Sequence, residues 1–445
     1  INYSSSNLNY SNEYFNDYVL GTVTKNKLNS SDLNNKILSE ILYYKNYCQG
    51  NVIVSFGNNN HCETSHKDYK FLSLPRIIYQ IKNKEIISVN SGWEHSIAQD
   101  KNGLIYSWGN NSSCQCGIEL NENSTNNIIS PKNIVELNDK NIIELSCGIE
   151  HTLALSSNGK VYSWGSVGDG VLGRVIDNKN IKSIAKPEKI EFFEKNNIKI
   201  IHISSGSIHN LCLDENHNIY SFGCSKGGQL GLDENKLKEL YKEINNIDED
   251  KTTTPKKNKE EKHFYITEPQ IIESLKGIEI IKISSGEAHN IALTSDGKCY
   301  SWGFGSTGQL GLGFCEDSYE PGTGMTKSRR LTPNLIEYFA KDNIKEIFCG
   351  KTFSIFINKK DELYSTGIND LNQCGIDNES INRSFYCNDI VSPLKIEMFM
   401  RMKILNVACG EGHVLAIAEE NGNKILFSWG SNRFGQLGQG IQNKQ

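Results

Sequence analysis

Residues 146–165 read SCGIEHTLALSSNGKVYSWG, and a line of this form recurs along the chain. Each copy has a small residue, a glycine, two variable residues, a histidine in five copies of six, an apolar run, a turn, and Tyr-Ser-Trp-Gly or a variant of it. The six copies begin at Gly92, Gly148, Gly206, Gly286, Gly350 and Gly410. The two glycines of a copy lie 17 residues apart in the first five copies and 20 apart in the last. Such constant spacing indicates a repeat protein.

Each repeat is predicted to form short strands. Apolar and polar residues alternate over residues 151–155 and 161–164, which is typical of strands rather than helices. Pairs such as Asn158-Gly159 stand between the two runs and predict hairpin turns, because Asn and Gly tolerate positive φ. A Gln-Leu-Gly-like turn and a proline follow before the next copy. We therefore expect an all-β fold of four-stranded antiparallel blades, stacked radially into a β-propeller.

The blade count and the domain limits also follow from the repeat. A seventh Ser-x-Gly site, Ser55-Phe56-Gly57, predicts a seven-bladed ring, with the run Ile37 to Val54 supplying the strands that close it. The predicted domains are a polar segment at 1–36, the propeller at 37–440 and a tail at 441–445. A long inserted loop is predicted at 232–268, with a smaller excursion at 313–330. Helical spacing of Leu237, Leu240 and Tyr241 predicts a short amphipathic helix inside the insertion.

Composition excludes several classes of protein. The 445 residues carry a net charge of −5, which gives no general electrostatic attraction to nucleic acid. No apolar stretch approaches the roughly 18 residues that would span a membrane. The thirteen cysteines include no Cys-x-x-Cys pair, and three of them occupy a slot that elsewhere holds Ser, so we expect reduced thiols. We expect an intracellular monomer of the nucleus or cytoplasm, with no metal and no cofactor. The chain lacks an initiator Met, which predicts that it is a fragment.

The Cys-Gly-x-x-His, Tyr-Ser-Trp-Gly and Gly-Gln-Leu-Gly motifs over roughly residues 50–440 resemble the RCC1 (regulator of chromosome condensation) family. That resemblance implies a seven-bladed propeller. The family's namesake is a guanine-nucleotide exchange factor for the small GTPase Ran, which docks on one face while a β-wedge of the third repeat disturbs its phosphate-binding region. The matching wedge residues here are Ser166, Val167, Gly168, Asp169, Gly170 and Val171.

Three departures from the family pattern bear on function. Ile208 stands where the exchange factors carry an Asp before the motif histidine, and Phe353 replaces a motif histidine. Residues 1–36 lack the basic tail that grips chromatin, so direct DNA binding is not expected. Trp93, in Gly-Trp-Glu-His, resembles the plant UV-B photoreceptor branch, but that branch repeats the tryptophan over several blades. Its single occurrence argues against light sensing.

The motif histidines lie on different blades and cannot converge on one metal, so we interpret them as hydrogen-bonding residues between blades. The two residues between the glycine and the histidine vary from copy to copy and are expected on one face. They include Glu94, Glu150, Glu287, Lys351 and Glu411, which predict an acidic surface for a basic partner; the alternative is ordinary solvated loops. No chemical active site is predicted. The sequence favours a protein-interaction platform, and the alternative is an exchange factor for a Ran-like GTPase acting through the wedge at 166–171.

Overall fold

The fold is described from a computed structural model covering residues 53–67, 70–119, 126–178, 180–245, 265–313, 329–377 and 389–440, with backbone alone over 242–245. Within these ranges the chain forms 25 strands and two α-helices. Every pairing between neighbouring strands is antiparallel, and strands pair in sequence order, so each sheet is built from one continuous stretch of chain. The prediction of an all-β fold made of local antiparallel sheets is confirmed.

Five sheets have four strands, and we number them as blades 1 to 5. Blade 1 contains β3 (Ile86–Ser91), β4 (His95–Asp100), β5 (Ile105–Asn110) and β6 (Asn127–Asn133). Blade 2 contains β7 (Ile142–Cys147), β8 (His151–Ser156), β9 (Val161–Ser166) and β10 (Ser183–Lys189). Blade 3 contains β11 (Ile200–Ser205), β12 (His209–Asp214), β13 (Ile219–Cys224) and β14 (Tyr265–Ile271). Blade 4 contains β15 (Ile280–Ser285), β16 (His289–Thr294), β17 (Cys299–Phe304) and β18 (Arg329–Leu335). Blade 5 contains β19 (Ile344–Cys349), β20 (Phe353–Asn358), β21 (Leu363–Gly367) and β22 (Ile390–Lys395).

Two further sheets are smaller. Blade 6 has three strands, β23 (Lys403–Cys409), β24 (His413–Glu420) and β25 (Asn423–Gly430). The strands β1 (Val54–Asn58) and β2 (Phe71–Ile77) form a two-stranded sheet. In blade 6 the hairpin strands are eight residues long instead of six, which accounts for the 20-residue spacing of its two glycines.

The predicted count of seven blades is wrong for the described part of the chain, which shows six blades and one two-stranded sheet. The Ser-x-Gly site at residues 55–57 marks one strand, β1, and not a whole blade. The indole Nε1 of Trp108 in blade 1 donates to the Glu63 carbonyl beside β1, and a Cβ on Gly57 would touch Gln436 of blade 6. The two-stranded sheet therefore lies between blades 6 and 1. The predicted closing run at 37–54 lies, apart from its last two residues, outside the described residues.

The connections between blades define the two faces of the disc. In five of them a 3₁₀ turn precedes the inner strand of the next blade, and in the sixth the short helix α1 (Glu191–Lys195) takes its place. An inner strand of six residues spans roughly 20 Å from this turn to the Gly-x-x-His loop. We call the end with the 3₁₀ turns the turn face and the end with the Gly-x-x-His loops the Gly-loop face.

The core lies between blades. An isoleucine before each of these turns is 1% exposed or less: Ile78, Ile134, Ile190, Ile272, Ile336 and Ile396. Trp164 and Trp302 are fully buried in the clusters that join blades 1 to 2 and 3 to 4. The repeated tryptophans therefore stabilise the contacts between neighbouring blades, since large aromatic side chains contribute most to burial.

The insertion after blade 3 begins with a helix. The helix α2 (Glu234–Asn245) has an N-cap, because Asp233 Oδ1 accepts the amide hydrogens of Asn235 and Lys236, each at 2.9 Å. Leu240 of α2 packs against Leu230 and Ile266. The predicted helix is confirmed. Residues 246–264 of the predicted loop lie outside the described chain, as does most of the excursion at 313–330, and residues 265–268, also predicted as loop, belong to β14. No helix in the described ranges is long and apolar enough to cross a bilayer.

Candidate functional site

The glycine of each Gly-x-x-His loop is required by close packing. A Cβ on Gly148 would lie 2.0 Å from Cε1 of His151, and a Cβ on Gly92 would lie 2.3 Å from the Gly148 carbonyl oxygen. Similarly, Cβ atoms on Gly206 and Gly286 would lie 2.6 and 2.5 Å from the carbonyl oxygen of the next blade's glycine. Loops of neighbouring blades therefore touch backbone to backbone, and the variable residues between glycine and histidine are held in fixed positions on the Gly-loop face.

Four of the motif histidines, those of blades 1 to 4, each join their blade to the next. Nε2 of His95 lies 2.9 Å from Thr152 Oγ1, and the Thr152 hydroxyl donates its hydrogen to the Gln115 carbonyl. His95 must therefore donate from Nε2. The same link recurs as His151 to Asn210, at 2.9 Å, and His209 to Asn290, at 2.7 Å. Burial lowers the pKa of His95 to about 3 and that of His151 to about 4. The interpretation of these histidines as links between blades is confirmed.

The Gln-Leu-Gly turns complete this network. The Gln115 carbonyl oxygen also accepts a hydrogen bond from the indole Nε1 of Trp164 at 2.9 Å. In the same way, the Gln229 carbonyl oxygen accepts one hydrogen bond from the indole of Trp302 and one from the side-chain amide of Asn290. In each case one carbonyl oxygen accepts hydrogen bonds from two residues of the next blade. One is the tryptophan, and the other is the residue that pairs with the motif histidine. The residues that recur from repeat to repeat join the blades to one another. The variable loop residues are therefore the candidates for recognition of a partner.

Six small residues surround the axis just inside the Gly-loop face: Ser91, Cys147, Ser205, Ser285, Cys349 and Cys409. They line a cavity of about 430 Å³ that opens between the loops. Although these side chains face the cavity, loss of hydration raises the pKa of the Cys147 and Cys349 thiols to about 12. The thiols are therefore protonated and poor nucleophiles. All ten cysteines in the described ranges are unpaired.

The first variable residue of each loop faces the mouth of this cavity: Trp93, Ile149, Ser207, Glu287, Lys351 and Glu411. Four of them are joined through the backbone. The amide of Ile149 donates to the Ser207 carbonyl at 3.1 Å, that of Ser207 to Glu287 at 3.2 Å, and that of Glu287 to Lys351 at 3.0 Å. Blades 2 to 5 thus present a continuous hydrogen-bonded arc, so side chains on this arc are positioned before any partner binds.

A cation spans the mouth. The Lys351 ammonium lies 2.5 Å from Glu411 Oε1 and 5.7 Å from the centre of the Trp93 ring, which is contributed by a different blade. Burial would lower the pKa of Lys351, but the hydrogen bond to Glu411 and the negative charges of Glu411 and Glu287 raise it. Trp93 is 57% exposed, whereas the other four tryptophans are at most 9% exposed.

The predicted acidic residues form two groups rather than one. Glu287 and Glu411 take the first loop position at the mouth, while Glu94 and Glu150 take the second position farther out. Glu94 is engaged within the chain, because its carboxylate accepts a hydrogen bond from the Asn110 amide at 2.7 Å and lies 3.3 Å from His61 Nε2. Glu150 is exposed. The four glutamates therefore point in different directions, because adjacent residues of a tight loop do so.

The predicted wedge is a turn of ordinary length for this repeat. The segment 166–171 begins with the last residue of β9 and matches 224–229 in blade 3 and 304–309 in blade 4. A Cβ on Gly170 would lie 3.0 Å from the Ile266 carbonyl oxygen of β14, and Gly228 and Gly308 have the same kind of contact with the next blade. Gly168 is exposed and Asp169 partly so, and Ser166 donates its amide hydrogen to the Glu150 carbonyl at 2.8 Å. The segment therefore lies on the Gly-loop face, beside the acidic loops.

Sequence reasoning missed the exposed cations of this face. Lys226 and Arg433 are exposed in the turns that match 166–171 in blades 3 and 6, and Arg433 lies over the ring of Phe434. The rim is thus of mixed charge, and the carboxylates concentrate on the Gly-x-x-His loops. A comparison of equivalent turn positions would have found both cations.

The sequence and structural comparisons agree with this geometry. The family described as "Regulator of chromosome condensation (RCC1) repeat" matches residues 102–155, 158–213, 216–293, 296–357 and 360–417. Relatives include the ultraviolet-B receptor UVR8 of Arabidopsis thaliana, 26% identical over 88% of this chain and 75% of its own, and protein pim1 of Schizosaccharomyces pombe, 28% identical over 79% and 65%. The human probable E3 ubiquitin-protein ligase HERC6 is 30% identical over 58% of this chain and 22% of its own. For pim1 and HERC6 the chain thus spans less than two thirds of the relative.

Solved structures have the same fold. Prp20p of Saccharomyces cerevisiae, described together with its binding to Gsp1p and histones, superposes with a TM-score of 0.67 at 26% identity, over 88% of this chain and 83% of that one. Human WBSCR16 superposes with a TM-score of 0.67 at 18% identity, over 88% and 92%, which supports the fold alone. With five consecutive repeats matched over more than half its length, this chain belongs to the RCC1 repeat family.

Proposed function

We propose that this chain is a protein-interaction platform that binds a protein partner through the Gly-loop face. The observation that carries the proposal is the contrast between the two kinds of residue in each repeat. Glycine, histidine, tryptophan and glutamine are used to join the blades, while the loop residues they position differ in every blade and converge around one mouth. A rigid frame with variable, exposed residues at one end is typical of a recognition surface.

The chemistry of the site favours binding over catalysis. The linking histidines are buried and neutral, and the axial thiols are protonated. Among the described residues no three His, Cys, Asp or Glu side chains come close enough to hold a metal ion. The carboxylates at the mouth are suited to basic side chains of a partner, and their combined field raises the rate of encounter more than the final affinity.

The test is a charge reversal with a matched control. Glu94, Glu150, Glu287 and Glu411 are changed together to Lys, and the association rate of a purified partner, identified by affinity capture on the unmodified chain, is measured by surface plasmon resonance. We expect association at least tenfold slower at low salt, with a smaller difference at high salt. An unchanged rate and salt dependence would place the partner elsewhere.

The control is a second quadruple variant on the turn face. There, four exposed glutamates lie in four different 3₁₀ turns, one at the second position of its turn and three at the first: Glu136, Glu273, Glu337 and Glu397. Changing them to Lys alters the net charge by the same amount as in the first variant. The association rate should be much less affected, because these charges lie at the other end of the disc.

A second candidate function is guanine-nucleotide exchange on a Ran-like GTPase. It is favoured by the similarity to Prp20p and by the position of the 166–171 turn beside Glu150. The nucleotide and Mg²⁺ of a GTPase are held by loop amides, a Lys and a Ser/Thr, so a segment that displaces this loop weakens both. The test follows release of fluorescent GDP from purified Ran. Exchange activity would be seen as accelerated release that Asp169→Lys abolishes; unaltered release with the unmodified chain would exclude this function for Ran.

A further inference from the structure

The mouth of the Gly-loop face already holds a cation, and the groups around that cation come from three blades. Lys351 of blade 5 forms an ion pair with Glu411 of blade 6, and its ammonium also lies over the ring of Trp93 in blade 1. The aromatic ring and the carboxylate are independent features that both select positive charge. A cation over an indole face is stabilised by the ring's negative face, and a carboxylate beside it adds a charge-assisted hydrogen bond.

The Lys351 side chain holds this position without being locked into the fold. It is 36% exposed and Glu411 is 59% exposed, so both can rotate away without opening the core. An exposed ion pair contributes at most about 1 kcal/mol. By contrast, the backbones that carry Glu287 and Lys351 are joined by the hydrogen-bonded arc and cannot follow the side chain. The backbone that carries Glu287 is therefore fixed, and the present occupant of the site is easily displaced.

We propose that the site formed by Trp93, Glu287 and Glu411 binds an arginine side chain of the partner, and that Lys351 occupies this site in the free protein and is displaced on binding. Arginine fits better than lysine because its planar guanidinium stacks on an indole ring and pairs with two carboxylate oxygens at once. This inference rests on the proposed function, since it assigns the partner chemistry of the same face. It adds that Lys351 competes with the partner's arginine for the site. If the acidic face attracted the partner only through its total charge, removing one lysine would change the affinity only slightly.

The test uses a synthetic peptide with three arginines separated by glycines, and the same peptide with citrulline, a neutral isostere of arginine, as its control. Trp93 reports binding, because it is the exposed tryptophan among the five of this chain. Binding is followed as the change in tryptophan fluorescence, and Trp93→Phe defines the signal of the other four. We expect the arginine peptide to bind and the citrulline peptide to bind at least tenfold more weakly.

Two substitutions decide the role of Lys351. Lys351→Ala should tighten binding of the arginine peptide at least threefold, and Lys351→Met, which removes the charge and keeps most of the unbranched stem, should do the same. Glu411→Gln should weaken it at least threefold. Unchanged or weaker binding in both Lys351 variants would overturn the inference, as would equal binding of the citrulline peptide.

The two proposals can fail separately. If the charge reversal slows the partner but Lys351→Ala also weakens the arginine peptide, the Gly-loop face is the interface and Lys351 is a contact rather than a competitor. If Lys351→Ala tightens the peptide but the charge reversal leaves the partner unaffected, the cation site exists and the partner binds elsewhere.

Discussion

Changing His289 to Phe and Ser354 to Val in one double variant places between blades 4 and 5 the apolar pair that blades 5 and 6 already have. There, Phe353 occupies the histidine slot and Val414 the slot of its partner, and both belong to one apolar cluster. In the unmodified chain, Nε2 of His289 lies 2.9 Å from Ser354 Oγ. Since the replacement has a precedent within the same ring, we expect the double variant to fold.

The variant should change how stability depends on pH. Burial, together with the neighbouring His209, lowers the pKa of His289 to about 3, against 6.5 for an unperturbed histidine. Because the unfolded chain binds the proton more tightly, the contribution of this group is fully present above pH 6.5 and is lost as the pH falls from there towards 3. At pH 5 the loss is about 2 kcal/mol for one histidine. His95, His151 and His209 have the same sign, with pKa values lowered to about 3 or 4.

The measurement is urea unfolding at pH 8 and at pH 5, with the free energy of unfolding compared at the two pH values. We expect the decrease from pH 8 to pH 5 to be about 2 kcal/mol smaller in the double variant than in the unmodified chain. Ser354→Val alone is the control and should leave the decrease unchanged, because no titrating group is removed. An equal decrease in the double variant and the unmodified chain would show that His289 takes up no proton on unfolding, and the account of neutral links between blades would be wrong.

Three further predictions concern the frame. Deleting residues 1–50 should lower the Tm by several degrees in a calorimetric scan, because the sequence predicts that the run Ile37 to Val54 closes the ring; an unchanged Tm would place the seam elsewhere. Gly148→Ala should destabilise the chain far more than Gly103→Ala in urea unfolding, since a Cβ would clash with His151 at the first site, whereas at the second it meets nothing within 4 Å and costs only the strain of a φ of +82°; equal effects would contradict the packing argument. Trp302→Ala should cost about 3–5 kcal/mol of unfolding free energy, whereas Trp93→Ala should cost little, because only Trp302 is buried.

Most of the frame could be predicted from the sequence because each repeat is local. The 17-residue spacing fixes a hairpin whose two strands pair with each other, and Gly159 in its turn has a φ of +81°, as the Asn-Gly signal requires. The blade count failed because one motif marks one strand. At Ser55-Phe56-Gly57 the strand is present without a recognisable Gly-x-x-His line before it.

The site was harder to predict because its contacts cross the ring. Lys351 and Trp93 are 258 positions apart in the sequence and meet only because the blades curve around an axis. The sequence placed both residues in the variable loop positions, but it did not distinguish the first position, which faces the mouth, from the second. That distinction depends on the direction of each side chain within a two-residue loop, and no periodicity in the chain reports it.

The central claim is that the Gly-loop face is where the partner binds, and hydroxyl-radical footprinting of the purified complex tests it most directly. The two faces carry their own reporters: Trp93 is 57% exposed on the Gly-loop face, and Met398 and Met400 are 51% and 53% exposed on the turn face. Oxidation of these side chains is measured by mass spectrometry with and without the partner. The account predicts that the partner protects Trp93 several-fold and leaves both methionines as reactive as in the free chain. Protection of the methionines with Trp93 unchanged would contradict it.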